Sequence, residues 1–389
     1  MLTNKVSNKI LKVSSFHVME VMARAKVLES QGRNIVHMEV GEPDFSTPQP
    51  IIDAGIRFLK KGDVHYIKAQ GLLALREKIA EFYQQQYGVS VSPERIFITP
   101  GASGALTVAL ALLLDVGDEV LMPDPGYPCN NNLAKLFGGI PRAICVDAKD
   151  DFQLTKEAVL KHWGEATKGL MLASPSNPTG TLITAEGMLE LVKLVKEKRG
   201  FLISDEIYHG LVYQGRATSA LEFSDEVYVL NSFSKFFGMT GWRLGWLIVP
   251  EHAIDSANRL MQNLYIAAPT HSQYAALAAF ESSTRDILLQ RRDEFERRRD
   301  ALYNGLSALG FIMHKKPEGA FYIYADCSAF TDDSYAFAIE LLEKGGVAVT
   351  PGIDFGDNGS ERYLRFSYTT SVQQIEVGLQ RIKAFLESK

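Results

Sequence analysis

Apolar positions at helical spacing begin at Phe16 and continue through Met19, Val21, Met22, Ala25, Val27 and Leu28, which predicts an amphipathic helix over residues 14–31. A short apolar run over 35–40 predicts a strand, closed by the turn Gly41-Glu42-Pro43-Asp44-Phe45. Helices are expected at 50–61 and 72–87, with a polar loop from His65 to Gly71 between them. From about residue 95 the pattern becomes regular. Apolar runs predict strands at 95–99, 119–122, 143–146, 169–173, 201–204, 227–230 and 244–249. Amphipathic helices at 106–114, 130–137, 155–163 and 184–198 fall between the earlier ones. This alternation implies an α/β fold with a mainly parallel sheet covered on both faces. A long charged helix follows at about 283–309, then strands at 319–324 and 365–368 and helices at 334–344 and 371–386. The mixed charges of residues 291–300 read as a solvated face with i,i+4 pairing.

Polar residues recur just past the C-terminal ends of the strands, at Ser103, Asn177, Asp205 and Lys235. In open α/β sheets that edge is where ligands bind. Pro100-Gly101-Ala102-Ser103-Gly104-Ala105 is a Gly-rich strand-to-helix turn, and free N–H groups at a helix start form an anion site. Lys235 stands in Ser232-Phe233-Ser234-Lys235-Phe236-Phe237-Gly238, with Arg243 eight residues on. A lysine among small and apolar groups can lose its proton and attack an aldehyde. Ser232, Ser234 and Arg243 offer a phosphate clamp. Lysine–aldehyde chemistry beside a phosphate clamp points to pyridoxal phosphate. Taken singly, each feature has an ordinary alternative: a surface lysine, a turn glycine at Gly41, surface groups at Tyr66 and Lys68. Arg365, on an apolar strand between Leu364 and Phe366, needs an anionic partner, either an internal carboxylate or a ligand.

The length of 389 residues suggests about two domains. A formal net charge of −5 creates no strong field, which argues against nucleic acid or an anionic membrane as partner. Three well-separated cysteines, Cys129, Cys145 and Cys327, make neither a zinc motif nor a disulfide framework, so no metal is expected and a cytoplasmic location is. No signal-type or membrane-spanning apolar run is present.

In their order along the chain, Ser174-Pro175-Ser176-Asn177-Pro178-Thr179-Gly180, Asp205-Glu206-Ile207-Tyr208, the Lys235 motif and Arg365 resemble the class I/II, fold-type I, pyridoxal-phosphate-dependent aminotransferases. The resemblance spans about residues 14–386. It implies a large domain (46–285) with a mainly parallel seven-stranded sheet between helices. It also implies an N-terminal arm (1–45) and a C-terminal small domain (286–389), the small α+β domain drawing on both chain ends. It makes Lys235 the Schiff-base lysine and proton carrier, and Asp205 the partner of the pyridine nitrogen. Asn177 and Tyr208 would hold the cofactor's phenolic oxygen, with Asn177–Pro178 cis, and Tyr127 would stack on its ring. Gly101, Ala102, Ser103, Ser232, Ser234 and Arg243 would hold the phosphate. Tyr66 would reach the cofactor of a neighbouring subunit, making the active unit a homodimer. Arg365 would bind the substrate carboxylate, beneath a flap containing Gly41.

The implied reaction is transamination between an L-amino acid and a 2-oxo acid. Glutamate/2-oxoglutarate is the expected first pair, with aspartate, alanine or an aromatic amino acid in the second. Ser103 is neutral where aspartate-selective members carry a cation. Lys68 or a partner-chain residue is the remaining candidate, and Phe16, Tyr127 and Tyr265 suggest a partly aromatic pocket. Two other readings use the same motifs: a β-eliminating C–S lyase, and a non-catalytic cofactor-binding domain of a DNA-binding regulator. The absence of an added helix-turn-helix segment and of basic excess speaks against the second.

Overall fold

The computed structural model describes residues 6–389. The chain runs α1 (His17–Ser30), β1 (Val36–His37), α2 (Gln49–Lys60), α3 (Leu73–Tyr87), β2 (Ile96–Thr99), α4 (Gly101–Leu113), β3 (Glu119–Asp124), α5 (Pro128–Leu136), β4 (Ile140–Cys145), α6 (Lys156–His162), β5 (Thr167–Ala173) and α7 (Ala185–Glu197). It continues through β6 (Phe201–Asp205), β7 (Tyr228–Ser232), β8 (Gly245–Ile248), α8 (Ile254–Leu264), α9 (Thr270–Ala276) and α10 (Ser282–Ala308). The last elements are β9 (Tyr322–Asp326), α11 (Ser334–Glu340), β10 (Val347–Ala348), β11 (Thr350–Pro351), β12 (Tyr363–Ser367) and α12 (Val372–Glu387).

A seven-stranded sheet has the order β2-β8-β7-β6-β5-β3-β4. Only β8 runs against the others, being antiparallel to both β2 and β7. The inner strands are apolar because helices cover both faces: Leu202, Ile203, Val229, Leu230 and Leu247 are all buried. β4 is one of the two edge strands, mostly exposed, and tolerates Pro141. A second, antiparallel sheet has the order β11-β12-β9. Beside it β1 pairs in parallel with β10, Val36 opposite Val347 and His37 opposite Ala348. Both ends of the chain therefore build one core, in which Val36 and Met38 pack with Phe321, Phe337, Ile375 and Phe385.

Several expectations are corrected. The Pro100–Ala105 segment is not a turn before a helix: α4 already begins at Gly101. The expected strand at 35–40 is only two residues long, because the chain then bends into the flap at Gly41. Helices α8 and α9 had not been expected, although Ala257 and Met261 of α8 are buried four residues apart. The charged run of α10 is only partly solvated. Arg298 and Arg299 are buried. Arg298 pairs with Glu294 (3.1 Å) and Asp44 (2.8 Å), and its guanidinium lies over the ring of Phe45. Arg299 pairs with Asp300 and lies over Tyr213. The Arg head is planar and weakly hydrated, which lets it be buried when paired and stacked.

Candidate active site

The crossovers of the large sheet deliver the predicted residues to one edge. Asp205 ends β6 and lies in register with Ala173 of β5 and Leu230 of β7. Its carboxylate accepts one backbone hydrogen bond, from Ile207 N at 3.2 Å. Burial pushes its pKa up to about 7, against the opposing pull of that N–H and of Lys235. Such a group calls for a cationic partner.

Lys235 follows β7 and is half-buried. Its Nζ donates to Gly41 O at 2.6 Å, with the rings of Phe321 and Tyr208 at 5.5 and 5.9 Å. The flap expected around Gly41 thus lies directly over the lysine. A side chain at Gly41 would be excluded, because a Cβ would lie 1.8 Å from the Tyr322 hydroxyl.

At the start of α4, Gly101 has φ +72, and a Cβ there would sit 2.7 Å from Arg243 Nη2. Missing side-chain bulk thus lets a guanidinium reach the start of a thirteen-residue helix, where N–H groups and dipole also favour an anion. Arg243 is anchored by Nη1 donating to Thr240 O at 3.0 Å. Ser234 is buried, and its N–H donates to Ser232 Oγ at 3.0 Å. Ser232 Oγ in turn donates to Leu244 O at 3.4 Å. Ala102 is half-buried in the first turn of α4, and Ser103 beside it is exposed.

Arg365, in β12, is buried and turned toward the same edge. It donates from Nη1 to Asn177 Oδ1 (2.9 Å) and from Nη2 to Glu39 O (2.6 Å) and Thr350 Oγ1 (3.1 Å). Its Nε has no partner among the described residues. No carboxylate pairs with it among those residues, so the internal ion pair left open by the sequence is not formed. The guanidinium is sandwiched by Tyr322 (4.3 Å) and Phe355 (4.8 Å). The Asn177–Pro178 bond is cis, as expected, and so are Ser174–Pro175 and Asp124–Pro125.

Two predicted residues are exposed, but only Tyr66 stands apart from the site, because the Tyr127 hydroxyl lies close enough to Tyr322 and Arg365 to feel both. Tyr127 precedes α5, is 38% exposed, and stacks on Phe16 at 6.3 Å. Tyr66 is 84% exposed in the loop after α2 and makes no side-chain hydrogen bond among the described residues. Sequence reasoning missed Tyr322, whose hydroxyl meets that of Tyr208 at 2.9 Å. A buried Tyr needs a partner for its hydroxyl, and that was the available signal. It also missed Glu39 and Thr350, which brace Arg365.

The edge thus joins an amine, a desolvated carboxylate, an anion cradle and a buried guanidinium. The sequence profile described as "Aminotransferase class I and II" matches residues 33–382. The chain belongs to that family. It is an aminotransferase, it uses pyridoxal 5′-phosphate, and its substrates are amino acids and 2-oxo acids. This aminotransferase is 42% identical over 384 residues to the (5-formylfuran-3-yl)methyl phosphate transaminase of Methanocaldococcus jannaschii, covering 98% of this chain and 99% of that one. It is 37% identical to the valine–pyruvate aminotransferase of Mycobacterium tuberculosis, covering 97% of each. A crystal structure of an aminotransferase from Mycobacterium tuberculosis matches with a TM-score of 0.96 at 36% identity, covering 100% of both chains. The fold-type I architecture expected from the sequence is therefore present, mainly parallel seven-stranded sheet included.

Proposed function

We propose that this aminotransferase moves an amino group between glutamate/2-oxoglutarate and a second pair whose amino acid is neutral, with alanine and the aromatic amino acids favoured over aspartate. The carrying observation is the buried Arg365, with a partnerless Nε between the faces of Tyr322 and Phe355. An arginine in that setting suits the α-carboxylate of any amino acid, and its aromatic neighbours suit an apolar side chain. Ser103 and the exposed Tyr127 add no cation for a distal carboxylate.

The cofactor, when bound, acts as an electron sink for the substrate α-carbon. The site fits it at both polar ends: a bulk-free Gly101 beside Arg243, and a buried Asp205 lacking a cation. Gly101, Ala102, Ser103, Ser232, Ser234 and Arg243 would hold its phosphate, and Asp205 its ring nitrogen. Asn177 and Tyr208 would hold its phenolic oxygen, and Tyr127 would cover its ring. Lys235 Nζ would hold the cofactor and would carry the proton that leaves the substrate α-carbon. Gly41 and its flap exclude water above Lys235.

The same reading divides the chain into an arm (1–45), a large domain (46–285) and a small domain (286–389). It also makes the active unit a homodimer, in which the exposed Tyr66 reaches the partner's cofactor. A cytoplasmic location is supported by three free cysteines. Among the described residues no helix is long and apolar enough to cross a membrane.

The test is a panel of amino donors against 2-oxoglutarate and pyruvate, with Lys235→Ala as control. Alanine or an aromatic donor should give the highest kcat/KM with wild type and none with the variant. A clear preference for aspartate would sink the substrate assignment while leaving the reaction class intact.

A further inference from the structure

A cavity of about 250 Å³ lies on the far side of the Tyr208 and Lys235 segments, between α3 and the first turns of α10. Its lining combines aromatic and aliphatic side chains, among them Phe82, Tyr87, Phe236, Phe280, Leu288 and Leu289, with polar and charged ones. Concave sites that combine apolar side chains with a few polar groups are where small molecules bind.

The charge at its mouth has one sign in excess. Lys78, Arg216, Arg285 and Arg292 line it, against the single acid Glu81. Three of these cations are engaged locally: Lys78 with Glu81 (2.8 Å), Arg216 with Glu222, and Arg292 with Asp293 (2.7 Å). Arg285 forms no ion pair among the described residues. Behind the lining, the buried Glu206 carboxyl lies 3.5 Å from His209 Nδ1, and burial pushes its pKa up to about 8, favouring the neutral form. His209 is buried, which pushes its pKa down to about 3 and keeps the ring neutral, and its Nδ1 shares a hydrogen bond with Tyr87 Oη at 2.9 Å.

The cavity adjoins the catalytic edge through the chain itself. His209 follows Tyr208, and Phe236 follows Lys235. These two segments press together: a Cβ on Gly210 would lie 2.2 Å from the ring of Phe236. An occupant would therefore touch the neighbours of both residues without entering the substrate site.

We propose that this cavity is a second binding site, separate from the active site, for a small aromatic monocarboxylate, with its ring among Phe82, Phe236 and Phe280 and its carboxylate on Arg285. The probe is 2-naphthoate, which has neither an amino nor an oxo group to react, titrated calorimetrically into the holoenzyme. Wild type should bind it with one site per chain, at an affinity unchanged by saturating 2-oxoglutarate. Arg285→Ala should weaken binding on the order of tenfold or more, as expected for a lost charge-assisted contact. Leu289→Trp, which fills the cavity, should abolish binding. Both variants should keep wild-type turnover. The proposal is overturned if wild type shows no binding, if 2-oxoglutarate displaces the probe, or if Arg285→Ala binds as tightly as wild type.

Discussion

The hydroxyls of Tyr208 and Tyr322 lie 2.9 Å apart in a pocket closed to water, 114 residues apart in the chain. Burial and the second hydroxyl both raise the Tyr208 pKa well above the ordinary tyrosine value. Tyr322 also stacks on Arg365 and sits under Gly41, so one side chain touches the flap, the carboxylate hook and the tyrosine pair. Tyr322→Phe keeps the ring and removes only the hydroxyl. It should cost roughly 0.5–1.5 kcal/mol of stability by chemical denaturation. It should also shift the pH dependence of the bound cofactor's visible absorbance. An absorbance titration identical to wild type would show that the pair has no bearing on the site.

Arg365→Ala should leave the fold intact and lower kcat/KM for every amino donor by about 10²-fold, from a loss of roughly 3 kcal/mol. Arg365→Lys should recover only part of this, because an ammonium cannot make the two-pronged contact. Half-reaction kinetics across several donors check it. A donor-dependent loss would mean that the arginine reads the side chain instead.

Asp205→Asn gives a sign test in the cofactor-free protein. The folded carboxylate has its pKa raised to about 7, above its unfolded value of 3.8. Between those values the native state binds the extra proton, so stability falls as pH rises through the window and is flat above it. The amide has no such penalty. The cofactor-free variant should therefore match or exceed wild type at pH 8, the gap growing between about pH 4 and 7. On the order of 4 kcal/mol corresponds to a shift of that size. Cofactor affinity should move the opposite way and drop. Parallel pH–stability curves for the two proteins would contradict a buried carboxylate whose desolvation outweighs the pull of Ile207 N and Lys235.

Gly101→Ala places a methyl group against Arg243 Nη2 at a residue with φ +72. Strain and displacement of the guanidinium should weaken pyridoxal phosphate on the order of tenfold or more. Pyridoxal, which lacks the phosphate, should bind wild type and variant equally. Equal losses for both ligands would place the damage elsewhere than in the anion cradle.

Much of this was legible in the chain, for physical reasons that differ by residue. Asp205, Asn177 and Lys235 each follow an apolar run, and the parallel-sheet rule brings such residues to one edge. Arg365 was legible as a charge on an apolar strand. Tyr322 was not. Every residue of β9 is buried, so the Tyr322 ring belongs in the core, but nothing local says that its hydroxyl ends beside Tyr208. The start of α4 was misread because glycine and proline signal a turn, while here Gly101 provides room for Arg243. The pairs β1–β10 and β11–β12 are two residues long and carry no periodic signal, so the resemblance implied that the chain ends join, while their strand register was visible only in three dimensions. The burial of Arg298 and Arg299 was hidden for a similar reason: their rings and carboxylates come partly from distant segments.

The pairing of β1 with β10 also sets a timetable for synthesis. Val36 meets Val347, a partner made 311 residues later. At about 5–20 residues per second the arm waits roughly 15–60 s on the ribosome before its strand partner exists. All seven strands of the large sheet emerge before residue 249, so that layer can form during the wait. The bracing of Lys235 by the flap carbonyl of Gly41, and of Arg365 by Glu39 O, comes last. A nascent chain stalled before β10 would have a nearly complete large sheet and no closed catalytic pocket.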